Sequence, residues 1–425
     1  MYEMKNSGIE WIGEIPKDWK LKRIQFCLNE INKKNIPIKT EQVLSLVKDK
    51  GVMLYEDKGN QGNKAKEDIR QYKIAYPNTL IINSMNILIG SVGISNYLGC
   101  VSPVYYVFKE NEYSDLRYIN YIFNTREFQK ELRKYANGIL EIRLRVSSYD
   151  IFKRKIPLPN KCTQEKIADF LDIKCNEIDV LYAEIEKQIE TLEEYKKTII
   201  TKTVTKGLDS NVEMKQSKVE WIGEIPRNWE CKKIKYISDL SRGIFGHRPR
   251  NDPRYYDGKY PFIQTGDITS ASKIITNYSQ TLNEHGKKVS KQFKKGTIAL
   301  TLAANVGDVS ILGFDAYFPD SIMAVIPHNE IDNMYFYYIL SIMKKEFLRV
   351  AIINTQLNLN VERVGNLYIP ITFDKIEQRN IVKYLDAKCN EIDNAIKDKK
   401  EQLNILDQYK KSLIYEYVTG KKEVF

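Results

Sequence analysis

Two stretches of the chain carry apolar residues at a helical period and lack proline and glycine for about 40 residues each. The first runs from Gln164 to about Thr205, with Gly207 as a stop signal. Within it Ile178, Leu181, Ile185, Gln188, Leu192, Tyr195 and Ile199 step alternately by three and four, which predicts a coiled-coil seam. The second, from Gln378 to Thr419, offers Ile392, Ala395, Lys399, Gln402, Leu406, Tyr409 and Leu413. Its middle is weak, and there Ile396 and Leu403 are expected to replace Lys399 and Gln402 as apolar contacts. A helix of about 42 residues at roughly 1.5 Å each spans on the order of 60 Å, more than a small domain needs internally. Neither helix can bury its stripe alone, so the two are expected to pack antiparallel as one rod, with Tyr195 and Tyr409 in its core.

The rest of the chain has a different rhythm. Residues 20–157 and 230–371 mix short β-branched and aromatic runs with Gly, Pro and Asn punctuation. Thr79–Ile82, Val104–Phe108, Thr297–Leu302 and Met323–Ile326 read as strands, and Leu116–Tyr135 and Met334–Val350 each read as one helix. That pattern predicts α+β bodies with a curved or barrel-like sheet.

The chain also repeats itself. Residues 9–19 read Ile-Glu-Trp-Ile-Gly-Glu-Ile-Pro-Lys-Asp-Trp, and 219–229 read Val-Glu-Trp-Ile-Gly-Glu-Ile-Pro-Arg-Asn-Trp, at an offset of 210. The tract from Gln164 to Asp179 matches that from Gln378 to Asp393 at an offset of 214 and continues ungapped to Val204-Thr205 and Val418-Thr419. The bodies between diverge, although Ser91-Val-Gly93 still corresponds to Asn305-Val-Gly307, and Tyr121-Ile122 to Tyr338-Ile339. The chain is thus a tandem duplication of a Trp motif, a variable body and a long helix. Divergence within a shared scaffold points to two modules of one kind that read different things. Trp11, Trp19, Trp221 and Trp229 keep their neighbours in both copies, so they are expected to dock modules to the rod as packing anchors, or to form part of the partner surface, rather than to stack on bases.

Composition sharpens this. The 425 residues hold 66 Lys+Arg against 55 Asp+Glu, a net charge of +11, so a polyanion or an acidic surface is a plausible partner. The helical tracts carry −3 (164–206) and +1 (378–419), which leaves +13 on the remainder. The charge therefore sits on the modules, not on the struts. No Gly-x-Gly fingerprint, no Gly-Lys-[Ser/Thr] phosphate cradle and no Asn/Asp-Pro-Pro-aromatic methyltransferase signature occurs. Cys27, Cys100, Cys162, Cys175, Cys231 and Cys389 form no Cys-x-x-Cys, and His247, His285 and His328 lie far apart, so neither a closed zinc site nor a histidine relay is expected. No long apolar span and no basic-then-apolar leader is present, and a cytoplasmic protein with no membrane partner is expected.

At this point the chain resembles a specificity (S) subunit of a type I restriction–modification system. The resemblance covers essentially its whole length. It rests on the paired Glu-Trp-Ile-Gly-Glu-Ile-Pro-x-x-Trp segments, the Ile156-Pro157 and Ile369-Pro370 boundaries, and the Gln-x-x-Ile helices starting near Gln164 and Gln378. The family's Pro-Leu-Pro and Glu-Gln pattern is imperfect here, with Gln164-Glu165 reversed in the first copy and Pro370-Ile-Thr372 in the second. The resemblance implies target-recognition domains over 1–157 and 211–372, and conserved spacer helices over 158–210 and 373–425. It also implies a pseudo-two-fold tandem repeat. Each domain would read a half-site of double-stranded DNA, so the target would be bipartite, asymmetric and split by a nonspecific spacer. Two methyltransferase subunits carrying S-adenosylmethionine would dock, and Glu177 and Glu391 lie on helix faces that could meet them. Restriction subunits could add ATP-dependent cleavage. The chain itself would hold no cofactor and catalyse nothing.

The strongest local candidate for DNA contact is Arg242, His247, Arg248, Arg250 and Arg254, in a loop with Gly243 and Gly246. Arginine forks can grip guanine or phosphate, and the glycines would let the loop enter a groove. In the first module Asn60, Gln61, Asn63, Lys64 and Lys66 are similar in kind, since amides read adenine and lysines hold phosphate. Lys33 and Lys34 are weaker candidates. Two competing readings stay open from the residues alone: a nuclease or methyltransferase with its site in a variable body, and a structural adaptor that binds protein.

Overall fold

Both proline-free tracts fold as single helices, Lys161–Lys206 and Lys375–Val418. The computed structural model describes residues 3–48, 50–59, 68–138, 144–353 and 357–424. It divides into two units, Met1–Glu186 with Lys400–Phe425, and Lys187–Lys399. Each unit therefore owns one variable body, the N-terminal half of one long helix and the C-terminal half of the other.

Within each unit the two helix halves pair antiparallel, as the repeat pattern predicts. In the first, the Phe170 ring lies 4.5 Å from that of Tyr417, and Ile178 shares a core with Leu413 and Val418. In the second, Ile200 and Val204 pack with Ile381, Leu385 and Cys389. The seam itself needs correction. Ile178 and Ile185 are buried as expected, but Leu181, Tyr195 and Tyr409 are 44%, 55% and 53% exposed. Three positions move one residue later: Ile189 is buried in place of Gln188, and Tyr182 and Lys196 are half-buried in place of Leu181 and Tyr195, while Leu192 is half-buried as expected. Leu181-Tyr182 offers an apolar side chain at either register, so spacing alone does not choose between them. The second copy does choose. Ile396 is buried and Leu403 half-buried, as expected, and at the repeat offset these two align with Tyr182 and Ile189.

The body of the first unit is built on an antiparallel sheet in the order Leu28–Glu30, Tyr105–Glu110, Thr79–Asn83, Val92–Ser95. Two smaller strand pairs, Leu44–Val47 with Gly51–Leu54 and Lys73–Ala75 with Gly99–Val101, lie beside it. The second body has a five-stranded sheet, from Ser238–Arg242 through Ile322–Pro327, Ile298–Thr301 and Val309–Leu312 to Ile274–Ile275. A four-stranded sheet in the order Gln280–Leu282, Tyr256–Phe262, Ala316–Phe318, Lys291–Phe293 accompanies it. The α+β class is as expected. The single helix expected in each body is two helices, Leu116–Phe123 and Arg126–Arg133 in one, Asn333–Ser341 and Lys344–Val350 in the other. The first break lies at Thr125, whose hydroxyl accepts the Phe128 N–H and starts a new helix.

Beneath the divergent bodies lies one frame. The strand entering each body pairs antiparallel with the strand leaving it, Lys20–Arg23 with Lys155–Leu158 and Glu230–Lys233 with Tyr368–Ile371. The expected Ile-Pro boundaries are these exit strands. The glutamines repeated in both copies then fasten the body to its long helix. Buried Gln164 accepts the Asp115 N–H at 2.9 Å and donates to the Tyr113 and Pro159 carbonyls at 3.0 and 2.9 Å. Buried Gln378 accepts the Asp332 N–H at 2.6 Å and donates to the Glu330 and Thr372 carbonyls at 3.1 and 2.7 Å. Tyr121 donates to Asp172 at 2.7 Å, and its counterpart Tyr338 to Asp386 at 2.5 Å. The Tyr-Ile dipeptides survive divergence because they dock to the helix.

The tryptophans are packing anchors, as expected. Trp19 and Trp229 are fully buried, and each abuts the glycine that ends a long helix, Gly420 and Gly207 respectively. Both glycines have φ near +70°, a conformation that stops the helix and that a side chain resists. Trp221 donates to the Tyr368 carbonyl, and Tyr415 to the Trp11 carbonyl.

Candidate nucleic-acid interface

The arginine segment begins at the end of an edge strand. Ser238–Arg242 pairs antiparallel with Ile322–Pro327, and the chain then leaves the sheet. Gly243 lies so close to the Pro319–Ile322 turn that an added Cβ would sit 2.3 Å from the Pro319 carbonyl oxygen. Its N–H donates to the Ile322 carbonyl at 2.9 Å, and the Gly246 N–H to that of Val289 at 2.8 Å. The small size of Gly243 thus serves close packing inside the body, rather than the groove entry expected from sequence.

Two aspartates organise the basic side chains. Asp320, 26% exposed, lies in the turn facing the loop, and its carboxylate accepts from Arg248 at 3.3 Å and from Arg250. Its backbone carbonyl accepts from Arg242 Nε at 2.5 Å. Arg248 is further held by the carbonyls of Phe245 and His247, at 2.7 and 2.8 Å. Asp252 accepts from Arg254 through Nε and Nη2 and from His247 Nε2 at 3.0 Å. The Arg254 guanidinium, with His247 adding to it, holds the Asp252 carboxyl well below the usual carboxylate range. The His247 ring stacks on Tyr255 with centroids 4.0 Å apart.

All five expected residues therefore fall on one stretch of surface. Arg248, Arg250 and Arg254 remain half or more exposed although each touches an aspartate. A guanidinium has five N–H donors in a rigid fork, so one edge can rest on a carboxylate while the other stays available to an acceptor outside. Lys291, exposed and bonded to Ser241 Oγ at 2.6 Å, adds a further cation that sequence reasoning did not single out. Nor did it single out Asp320, which is about 70 residues from the arginines it gathers; no local pattern announces such a pairing.

In the first body Asn60, Gln61, Asn63, Lys64 and Lys66 lie outside the described residues. Lys33 and Lys34 are exposed, and Lys34 donates to Gln71 at 2.8 Å. On the long helices Glu177 and Glu391 are exposed and each bonds the lysine three residues earlier, Lys174 and Lys388, at 2.7 and 2.8 Å. No helix among the described residues is long and apolar enough to cross a membrane.

Residues 226–404 match the family described as the type I restriction modification DNA specificity domain. The chain is 27% identical to the protein named "Putative type I restriction enzyme MjaX specificity subunit" of Methanocaldococcus jannaschii, over 100% of this chain and 98% of the relative. It is 24% identical to the MjaVIII specificity subunit of the same organism, over 80% of this chain and 77% of that one. Among solved structures, a chain from work on complex assembly and conformational transition of the type I R-M system superposes with a TM-score of 0.73 at 14% identity. That match covers 96% of this chain and 99% of the other. The HsdS subunit from Thermoanaerobacter tengcongensis gives a TM-score of 0.51 at 14% identity, covering 96% and 98%.

Proposed function

We propose that the chain is a specificity subunit of a type I restriction–modification system, and that its parts divide the work as follows. It is the DNA-recognition subunit. The recognition domains occupy residues 1–157 and 211–372, and the helical spacers 158–210 and 373–425. Each domain reads its own short half-site of duplex DNA, and the paired helices act as the spacer that sets the interval between the half-sites. The second domain reads through Arg242, His247, Arg248, Arg250 and Arg254, and in the first Asn60, Gln61, Asn63, Lys64 and Lys66 contribute contacts. Two methyltransferase subunits dock on the frame, with restriction subunits as further partners, and the chemistry belongs to those partners. The setting is the cytoplasm, where the DNA is.

One observation carries this reading. The same fastening recurs in both units, through Gln164 and Gln378, while the bodies it fastens carry unlike sheets. A conserved mount with interchangeable heads suits a protein whose two halves must recognise different sequences under a common geometry. Because the heads differ, the target is asymmetric. The excess positive charge adds a sequence-independent hold on phosphate.

Mapping N6-methylated adenine across the source genome, with the gene intact and deleted, tests the proposal. The expected result is a split, asymmetric motif that disappears with the gene. Persistence of every methylated motif after deletion overturns it.

A further inference from the structure

The common frame locates a reading loop in the first body that residue composition alone ranked low. In each body an entry strand runs into a one-turn helix, Ile24–Phe26 or Ile234–Tyr236. An edge strand follows, Leu28–Glu30 or Ser238–Arg242, paired antiparallel to a long neighbour, Tyr105–Glu110 or Ile322–Pro327. In the second body that edge strand leads directly into the arginine loop. In the first it leads into residues 31–43. By topology, the segment around Lys33–Thr40 stands where the second body carries its arginines.

This segment is built, not slack. Asn35 is fully buried, and its side chain spans the turn by donating to the Thr40 carbonyl at 2.8 Å and accepting the Lys39 N–H at 2.9 Å. The backbone is tied on both sides of it, Asn35 N–H to the Tyr72 carbonyl at 2.9 Å and Ile74 N–H to the Lys33 carbonyl at 2.8 Å. What the turn presents is unusual for solvent. Ile36 and Ile38 are 54% and 52% exposed on either side of Pro37, flanked by exposed Lys33 and Lys39. The two ammonium groups are close enough that Lys33 pulls Lys39 below its ordinary value. Paired cations beside two outward isoleucines match a groove edge, where phosphate meets the lysines and a thymine methyl meets the apolar side chains.

We propose that Lys33–Lys39 is a base-contacting loop of the first recognition domain, with Lys33 and Lys39 on backbone phosphate and Ile36 and Ile38 against base edges in the major groove. The proposal rests on the duplex-reading role argued above and assigns it to a definite loop. A protein partner covering the isoleucines is the competing occupant.

The test uses the chain purified in its native complex through an affinity tag, and a pool of duplexes with a randomised centre from which retained molecules are sequenced. Wild-type protein is expected to enrich two separated blocks. Ile36→Ala/Ile38→Ala should blur one block and leave the other intact. Lys33→Gln/Lys39→Gln should weaken duplex binding about tenfold at 0.15 M salt and make the logarithmic salt slope shallower by about two, one for each phosphate contact. Two unchanged blocks with an unchanged slope overturn the assignment, as does simultaneous loss of both blocks at an unchanged melting temperature. Loss of partner protein from the I36A/I38A complex, with both blocks kept, also overturns it and supports the competing occupant. Should the double variant melt early, Ile38→Thr alone supplies the same block-by-block readout. Failure of wild-type protein to enrich any split motif would instead remove the duplex-reading account itself.

Discussion

Lys196 donates to both carboxylate oxygens of Asp393, at 2.6 and 2.7 Å, and Lys410 makes the same bond to Asp179 at 2.5 and 2.7 Å. The pairs are one relationship seen twice, because at the repeat offset of 214 Asp179 becomes Asp393 and Lys196 becomes Lys410. Each ties one repeat's helix to the other's and helps fix their antiparallel register. The lysine stems lie over the seam while the carboxylates face water, so the bonds select register more than they stabilise.

Asp393→Asn should therefore cost only about 0.5 kcal/mol in urea unfolding, shrinking further in 1 M salt. Reversal, Lys196→Asp with Asp393→Lys, should recover most of that loss, whereas Lys196→Asp alone should cost more than either. A double-mutant cycle reads the coupling directly.

The glutamines carry more. Gln164→Leu strands the buried Asp115 N–H and leaves the Tyr113 and Pro159 carbonyls without their donor, and should cost about 3 kcal/mol. Gln378→Leu should cost a similar amount. Gln164→Glu keeps the acceptor for Asp115 but loses both donors, so it should remain strongly destabilising. A loss below about 1 kcal/mol in any of the three would show that the fastening is incidental.

The glycines at the two helix ends should separate backbone strain from crowding. Both have φ near +70°, but a methyl group on Gly207 would meet its nearest neighbours at 3.5 Å, while one on Gly420 would lie 2.5 Å from Pro16. Gly207→Ala should cost about 1 kcal/mol from the left-handed backbone alone, and Gly420→Ala about 3 kcal/mol. Equal urea midpoints would contradict this packing of the Trp19 motif.

These contacts show what the residues reveal unaided and what they do not. Paired helices, the duplication and the role of the tryptophans follow from local period and repetition, whereas Gln164 and Gln378 are legible only as helix starts, because they bond to residues 49 and 46 positions away. The choice between Leu181 and Tyr182, about 100° apart on the helix, does not, because both are apolar and only the partner helix distinguishes them. The signal lay in the second copy, where Ile396 and Leu403 mark the true stripe. Thr125 caps a second helix inside a run that holds no proline or glycine, so no breaker marks the interruption. In the arginine site the cations were visible from composition, but Asp320 was not, since its pairing joins a turn to a loop about 70 residues away in sequence.

Asp320 yields a prediction of opposite sign to that for the arginines. Arg250→Ala should weaken duplex binding and blur the block read by the second domain, by about 1–3 kcal/mol of discrimination. Asp320→Ala removes a negative charge from a basic surface, so nonspecific affinity should rise. It also frees Arg248 and Arg250 from their shared anchor, so discrimination in that block should fall. Competition binding with specific and scrambled duplexes checks both. Parallel loss of nonspecific and specific affinity would show that Asp320 merely supports the fold.

The proposed function makes the paired helices the spacer between two unlike readers. The most direct measurement takes a duplex bearing both enriched blocks and changes only the length of DNA between them. One added base pair shifts a block by about 3.4 Å and about 34° around the axis, and five place it on the opposite face. The account predicts tightest binding at the native gap, a marked loss at one base pair more or less, and collapse to single-block affinity at five. Affinity indifferent to the gap would contradict it.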